Sequence, residues 1–148
     1  MATELTKNKG KQKKPAIVGV VVNVDSHALD TVTVTLSEFE IKRCEKLVAE
    51  FVERRRPPAH LRKEVDLAFR IKGQSVEIFE IRAHWTGKGK PIEHRIAKAT
   101  YNKGNHGWKI FWQRADLKWH RYEPLPEVDA IEDFLLIVEE DDHACFFG

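Results

Sequence analysis

Residues 65 to 85 restrict the fold more tightly than any other stretch of the chain. Val65, Leu67, Phe69 and Ile71 alternate with Asp66, Ala68, Arg70 and Lys72. After Gly73 and Gln74, Glu77, Phe79, Ile81, Ala83 and Trp85 alternate with Val76, Ile78, Glu80, Arg82 and His84. Successive side chains of a strand point to opposite faces, so a period of two on both sides of a glycine turn predicts an antiparallel hairpin with one buried face. Two strands do not hold such a face on their own; further strands or a helix must cover it.

The flanking sequence supplies both. Ser37 followed by Glu40 has the spacing of a helix-starting box, and Phe39, Cys44, Leu47, Val48, Phe51 and Val52 then recur at three- and four-residue steps. Arg54, Arg55 and Arg56 occupy the last turn, where cations complement the helix dipole, and Pro57 with Pro58 stops the helix. After the hairpin, strands are predicted over 92 to 101, 108 to 113 and 117 to 123, with Pro124 and Pro126 ending the sheet. Val128, Ile131, Leu135 and Val138 mark a second amphipathic helix. Ahead of all this, residues 1 to 14 read as a disordered basic arm. Ala16 to Val24 with Thr31 to Leu36 reads as an extra N-terminal hairpin around the polar residues 25 to 30.

Strands bracketed by helices predict an α+β fold, an antiparallel sheet of about five strands flanked by an N-terminal and a C-terminal amphipathic helix, in a single domain over residues 37 to 148. If Leu67, Phe69, Phe79, Ile81 and Trp85 meet the helices, the other pleat displays Asp66, Arg70, Glu80, Arg82 and His84.

Charge is sorted along the chain although the net charge is only +2. Residues 54 to 122 carry 17 Lys and Arg against 6 Asp and Glu, whereas residues 123 to 148 carry 9 acids and no Lys or Arg. The strands from Trp108 to Tyr122 interleave Lys109, Arg114, Lys118, His120 and Arg121 with Trp108, Phe111, Trp112, Trp119 and Tyr122. Cations that neutralise phosphates among rings that stack bases are what single-stranded or structured nucleic acid requires. The residues expected to carry such binding are Arg54, Arg55, Arg56, Lys109, Trp112, Arg114, Lys118, Trp119 and Arg121. Aromatics also favour strands, and cations on a solvent pleat keep a sheet soluble, so the pattern fits a domain without a polyanion partner as well. The basic excess is larger than solubility requires. The acidic C-terminal segment is expected to compete for the basic surface.

A catalytic alternative starts from Asp66 and Glu80. Restriction-type nucleases hold Mg²⁺ between an Asp on one hairpin strand and a Glu-x-Lys on the next; here Arg82 stands in the Lys place and Lys98 is the substitute on a neighbouring strand. A protein-protein interaction module is a third reading. No Gly-rich phosphate loop, G-x-S-x-G elbow or dinucleotide fingerprint occurs, and the histidines lack the close spacing of a zinc clip, so no cofactor and no metal is expected. Cys44 and Cys145 stand a hundred residues apart outside any C-x-x-C pair, which suits a reducing compartment, and the longest apolar stretch is far below the ~20 residues that span a bilayer. Cytoplasmic location without membrane insertion is expected.

The strings FVERRRPP, GQSVEIFEIR, AKATY and WQRADLKWHRYEP, an acidic helix and the terminal Cys-Phe-Phe-Gly follow one another in an order that resembles the bacterial domain-of-unknown-function family numbered 3024. The resemblance covers residues 37 to 148 and leaves residues 1 to 30 outside. It implies a small bacterial stand-alone protein; the family carries no assigned activity, so no functional residue follows from it.

Overall fold

The computed structural model describes residues 20 to 23 and 36 to 148. Helix α1 (Glu38–Arg55) starts where the capping spacing predicts: Ser37 Oγ accepts the Glu40 N–H at 3.1 Å and donates to the Glu40 carboxylate at 3.0 Å. Its stripe of Cys44, Val48, Phe51 and Val52 is buried over the sheet. After a 3₁₀ turn (Ala59–Leu61) come β2 (Val65–Lys72) and β3 (Ser75–Arg82), the predicted hairpin.

The hairpin corrects one expectation. The two-residue turn sets Lys72 opposite Ser75, which puts Ile71 opposite Val76, Phe69 opposite Ile78 and Leu67 opposite Glu80. Residues directly opposite one another share a face, so the helix-facing pleat of β3 is Val76, Ile78 and Glu80, while Glu77, Phe79 and Ile81 take the outer face. Val76 and Ile78 are buried in the core accordingly, and β3 ends before His84 and Trp85. Trp85, expected against the helices, is 85% exposed in the loop that follows.

Strand β4 (Ile92–Asn102) pairs with β3 through a bulge: Ile78 faces Ala97 whereas Phe79 faces Arg95, leaving Ile96 as the extra residue. Strand β5 (Gly107–Gln113) follows, then β6 (Trp119–Arg121) and β7 (Glu127–Val128), which share the outer edge of β5. Ile110 joins them, donating its N–H to the Pro126 carbonyl at 2.9 Å and accepting from the Tyr122 N–H at 2.9 Å. The prolines therefore do not end the sheet; proline lacks a donor but keeps its acceptor, and Val128, expected in the helix, belongs to β7. Helix α2 (Ile131–Glu140) covers β4, β5 and β7, and α1 covers β2.

Strand β1 (Val20–Asn23) runs parallel to β2, with Val20 opposite Phe69 and Asn23 opposite Lys72. The sheet order is β1-β2-β3-β4-β5-β6 with β7 beside β5, antiparallel from β2 onward. This is the expected α+β architecture. The basic arm predicted for residues 1 to 14 and nearly all of the strand predicted from Thr31 to Leu36 lie outside the described residues.

The core lies between this sheet and the two helices. Phe51, Phe69 and Phe134 are fully buried there, each contributing roughly 1.5–3 kcal/mol of transfer free energy, and Ala97 and Ala99 give β4 a flat floor beneath the helices. The C-terminus is clipped to the body of the fold. Asp141 sits in the left-handed region (φ 44) and its carboxylate accepts the N–H groups of Phe146, Phe147 and Gly148 at 3.0, 2.8 and 3.1 Å. That turn carries Phe146 into the core, 5.0 Å from the Tyr122 ring.

Candidate nucleic-acid interface

The outer face of the sheet is organised in rows, because the registers align one residue from each strand. Arg70, Glu77, Lys98, Phe111 and Arg121 form one such row, each directly opposite the next across β2 to β6. At ~4.8 Å per strand the row spans about 19 Å. Lys72, Ser75, Thr100 and Lys109 form the neighbouring row, with the Ser75 and Thr100 hydroxyls 2.7 Å apart.

The two halves of the face differ in charge state. Over β2 and β3 the Arg70 guanidinium lies 4.2 Å from the Phe79 ring centroid, 3.5 Å from Glu77 Oε1, and in an ion pair with Glu93. Its charge is balanced. Over β4 to β6, Lys98 Nζ stands 5.4 Å from the Phe111 centroid and 5.2 Å from the Trp119 ring, and among the described residues no carboxylate lies within 4.0 Å of Lys98, Lys109 or Arg121. An ammonium held by ring faces keeps its positive field, whereas one held by a carboxylate loses most of it. Phe111 and Trp119 are half-buried and Lys109 and Arg121 exposed, so this half is both positive and aromatic.

The remaining predicted residues fall elsewhere. Arg54 and Arg55 reach Glu139 at 3.9 and 2.9 Å, and Arg55 also lies 4.1 Å from the Phe147 ring centroid. Arg56 makes a two-point pair with Asp66 at 2.9 and 2.8 Å and touches Glu53 at 3.3 Å. The three arginines thus stitch α1 to α2 and to β2. Trp112 lies opposite Ala97 and packs against the core, with Arg114 5.7 Å from its ring. Lys118 is exposed in the β5–β6 turn, where Asp116 accepts its N–H at 2.9 Å and bonds His120 Nε2 at 2.9 Å; these bonds hold the Asp116 carboxyl below its ordinary range. The acidic segment engages the helix layer, Glu132 pairing with Arg43 and Glu139 with Arg54 and Arg55.

Asp66 and Glu80 start from alternate pleats, opposite Ile81 and Leu67, yet both line one hollow beside Val65 and Leu67; Arg56 engages the first and Arg82 the second at 2.6 Å, and Lys98 lies opposite Glu77 instead. Among the described residues no three His, Cys, Asp or Glu side chains are grouped to hold a metal ion, and no helix is long and apolar enough to cross a membrane. Lys98 and Phe111 were missing from the residues expected to bind nucleic acid. The turn at Gly73 and Gln74 held part of the information, since counting pairs outward from it sets Glu77 on the outer face; the bulge at Ile96, which sets Lys98 beside Glu77, has no such local signal.

Residues 36–148 match the family model described as a domain of unknown function, DUF3024. The chain belongs to that family. No curated protein and no solved structure matches it significantly. The DUF3024 region begins at the residue before the α1 cap and contains both helices and every strand except β1.

Proposed function

We propose that this DUF3024 protein binds nucleic acid on the outer face of β4 to β6, with Lys98, Lys109 and Arg121 taking phosphates and Phe111 and Trp119 taking bases. The observation that carries the reading is the Lys98 ammonium lodged between the Phe111 and Trp119 rings with no carboxylate partner among the described residues. Phosphate contacts release counterions and supply affinity without sequence preference, and each stacked base adds ~1–3 kcal/mol. Arg54, Arg55 and Arg56 are left out of this interface because Glu139 and Asp66 already engage them. Two free cysteines, Cys44 buried and Cys145 half-buried, support a reducing, cytoplasmic setting as part of the same proposal.

The test is a titration of labelled single-stranded oligonucleotide with the wild-type protein and with Lys98→Gln and Phe111→Ala. Saturable binding weakened at least about tenfold by either substitution supports the reading. Equal affinity across all three proteins, or no binding by the wild type, overturns it.

A further inference from the structure

The registers that set Val65 opposite Arg82 and Arg82 opposite Ile92 bring the entry to β2, the β3–β4 loop and the start of β4 to one end of the sheet. Four of the seven large apolar side chains exposed among the described residues lie at or near this end: Leu61, Trp85, Ile92 and Leu117. Trp85 is the most exposed of all seven. Single surface apolar residues are ordinary, but a fully displayed indole on a structured loop is not.

The loop is built around its neighbour. His84 Nδ1 bonds Thr86 Oγ1 at 2.8 Å, the same hydroxyl oxygen accepts the Lys88 N–H at 3.2 Å, and the Gly87 N–H, from a residue at φ 77, reaches the His84 carbonyl at 2.8 Å. A Cβ at Gly89 would stand 2.6 Å from the His84 ring, so only glycine lets the chain close over the imidazole. His84 is thereby half-buried under the loop and Trp85 exposed beside it, their rings stacked at 5.7 Å and 27°. Ordering costs on binding are small for an aromatic already held in place. Lys63 lines the same hollow as His84 and Gly89, and Lys88 and Lys90 belong to the loop; among the described residues none of the three has a carboxylate within 4.0 Å. Arg95, exposed and opposite Phe79 on the outer face, continues the positive path from the loop toward Lys98.

We propose that Trp85 is a base-stacking platform at one end of the interface described above, so that the ligand is a single strand: an unpaired base lies on the indole while Lys63, Lys88 and Lys90 neutralise the adjacent phosphates. This rests on the nucleic-acid reading and narrows it, because the faces of bases inside a duplex are covered by their neighbours. The aliphatic tips nearby would also suit an anionic lipid surface, but the basic and aromatic side chains leading from Trp85 over Arg95 to Lys98, past a Glu93 that Arg70 already engages, favour the strand.

The experiment compares wild type, Trp85→Ala, Trp85→Phe and Lys98→Gln in titrations with a single-stranded oligonucleotide of ~12 nucleotides, the blunt duplex of the same sequence, and phosphatidylserine-containing vesicles, with unfolding midpoints recorded for each protein. Trp85→Ala is expected to weaken single-strand binding roughly 5- to 150-fold at an unchanged midpoint, Trp85→Phe to retain most of the affinity, and duplex binding to be insensitive. Unchanged single-strand affinity in Trp85→Ala, with Lys98→Gln impaired, sinks the platform and leaves the interface standing. Absence of oligonucleotide binding by the wild type sinks both. Loss of vesicle binding in Trp85→Ala without loss of oligonucleotide binding assigns the loop to lipid and overturns the proposal.

Discussion

Arg56 and Asp66 are joined at two points, Nε to Oδ1 at 2.9 Å and Nη2 to Oδ2 at 2.8 Å, with side chains only 13% and 17% exposed. The pair ties the C-terminal end of α1 to the start of β2. Burial pushes the Asp66 carboxyl upward, but the hydrogen bonds from Arg56 and the Leu67 N–H and the charges of Arg56 and Arg62 outweigh it, so the carboxyl lies below its ordinary 3.8. Arg56→Ala strands this carboxylate and is expected to cost about 1–3 kcal/mol in urea unfolding.

The same shift sets a pH dependence. A carboxyl depressed in the folded state contributes stability that is present above its unfolded pKa and lost as pH falls through the folded one. Unfolding free energy of the wild type should therefore decline below about pH 4, and Asp66→Asn, less stable at pH 7, should decline less over the same interval. Parallel curves for the two proteins would show that Asp66 is not the group titrating.

Gly107 opens β5 against β7, and a Cβ there would meet the Val128 carbonyl oxygen at 2.8 Å, a backbone atom that cannot swing aside. Gly107→Ala is expected to destabilise by about 1–3 kcal/mol, read as a lower thermal midpoint. Gly104→Ala, whose Cβ meets only an Asn102 side-chain oxygen at 3.3 Å, is the milder control.

The clipped C-terminus makes truncation a stability experiment. Deleting residues 141 to 148 removes the Asp141 carboxylate that gathers three N–H groups and the buried Phe146, so a loss of roughly 3–5 kcal/mol is expected, with Phe146→Ala alone giving most of it. A truncated protein that unfolds at the wild-type denaturant concentration would contradict the packed tail.

Much of this architecture was legible in the residues, and the failures have identifiable causes. Helix α1 was readable at both ends because its cap and its stop are local: Ser37 with Glu40, then Pro57. The face of β3 was misread because Val76, Ile78, Phe79 and Ile81 put apolar side chains on both pleats, so periodicity alone cannot choose, whereas the two-residue turn does. Strand β7 was missed because Pro126 looks like a terminator until Ile110 is seen using its carbonyl. The role of Arg54, Arg55 and Arg56 was hidden for a different reason. Their partners Glu139 and Asp66 are set by tertiary packing, and nothing within the arginine run distinguishes a cation facing a carboxylate from one facing water.

The salt dependence of single-strand binding tests the outer-face interface most directly. With Lys98, Lys109, Arg121, Lys63, Lys88 and Lys90 each contacting a phosphate, the slope of log affinity against log salt concentration should lie near −4, at roughly −0.7 per contact, and removing Lys98 should reduce its magnitude by about 0.7. A slope near zero, or an unchanged slope in Lys98→Gln, would contradict phosphate binding on this face.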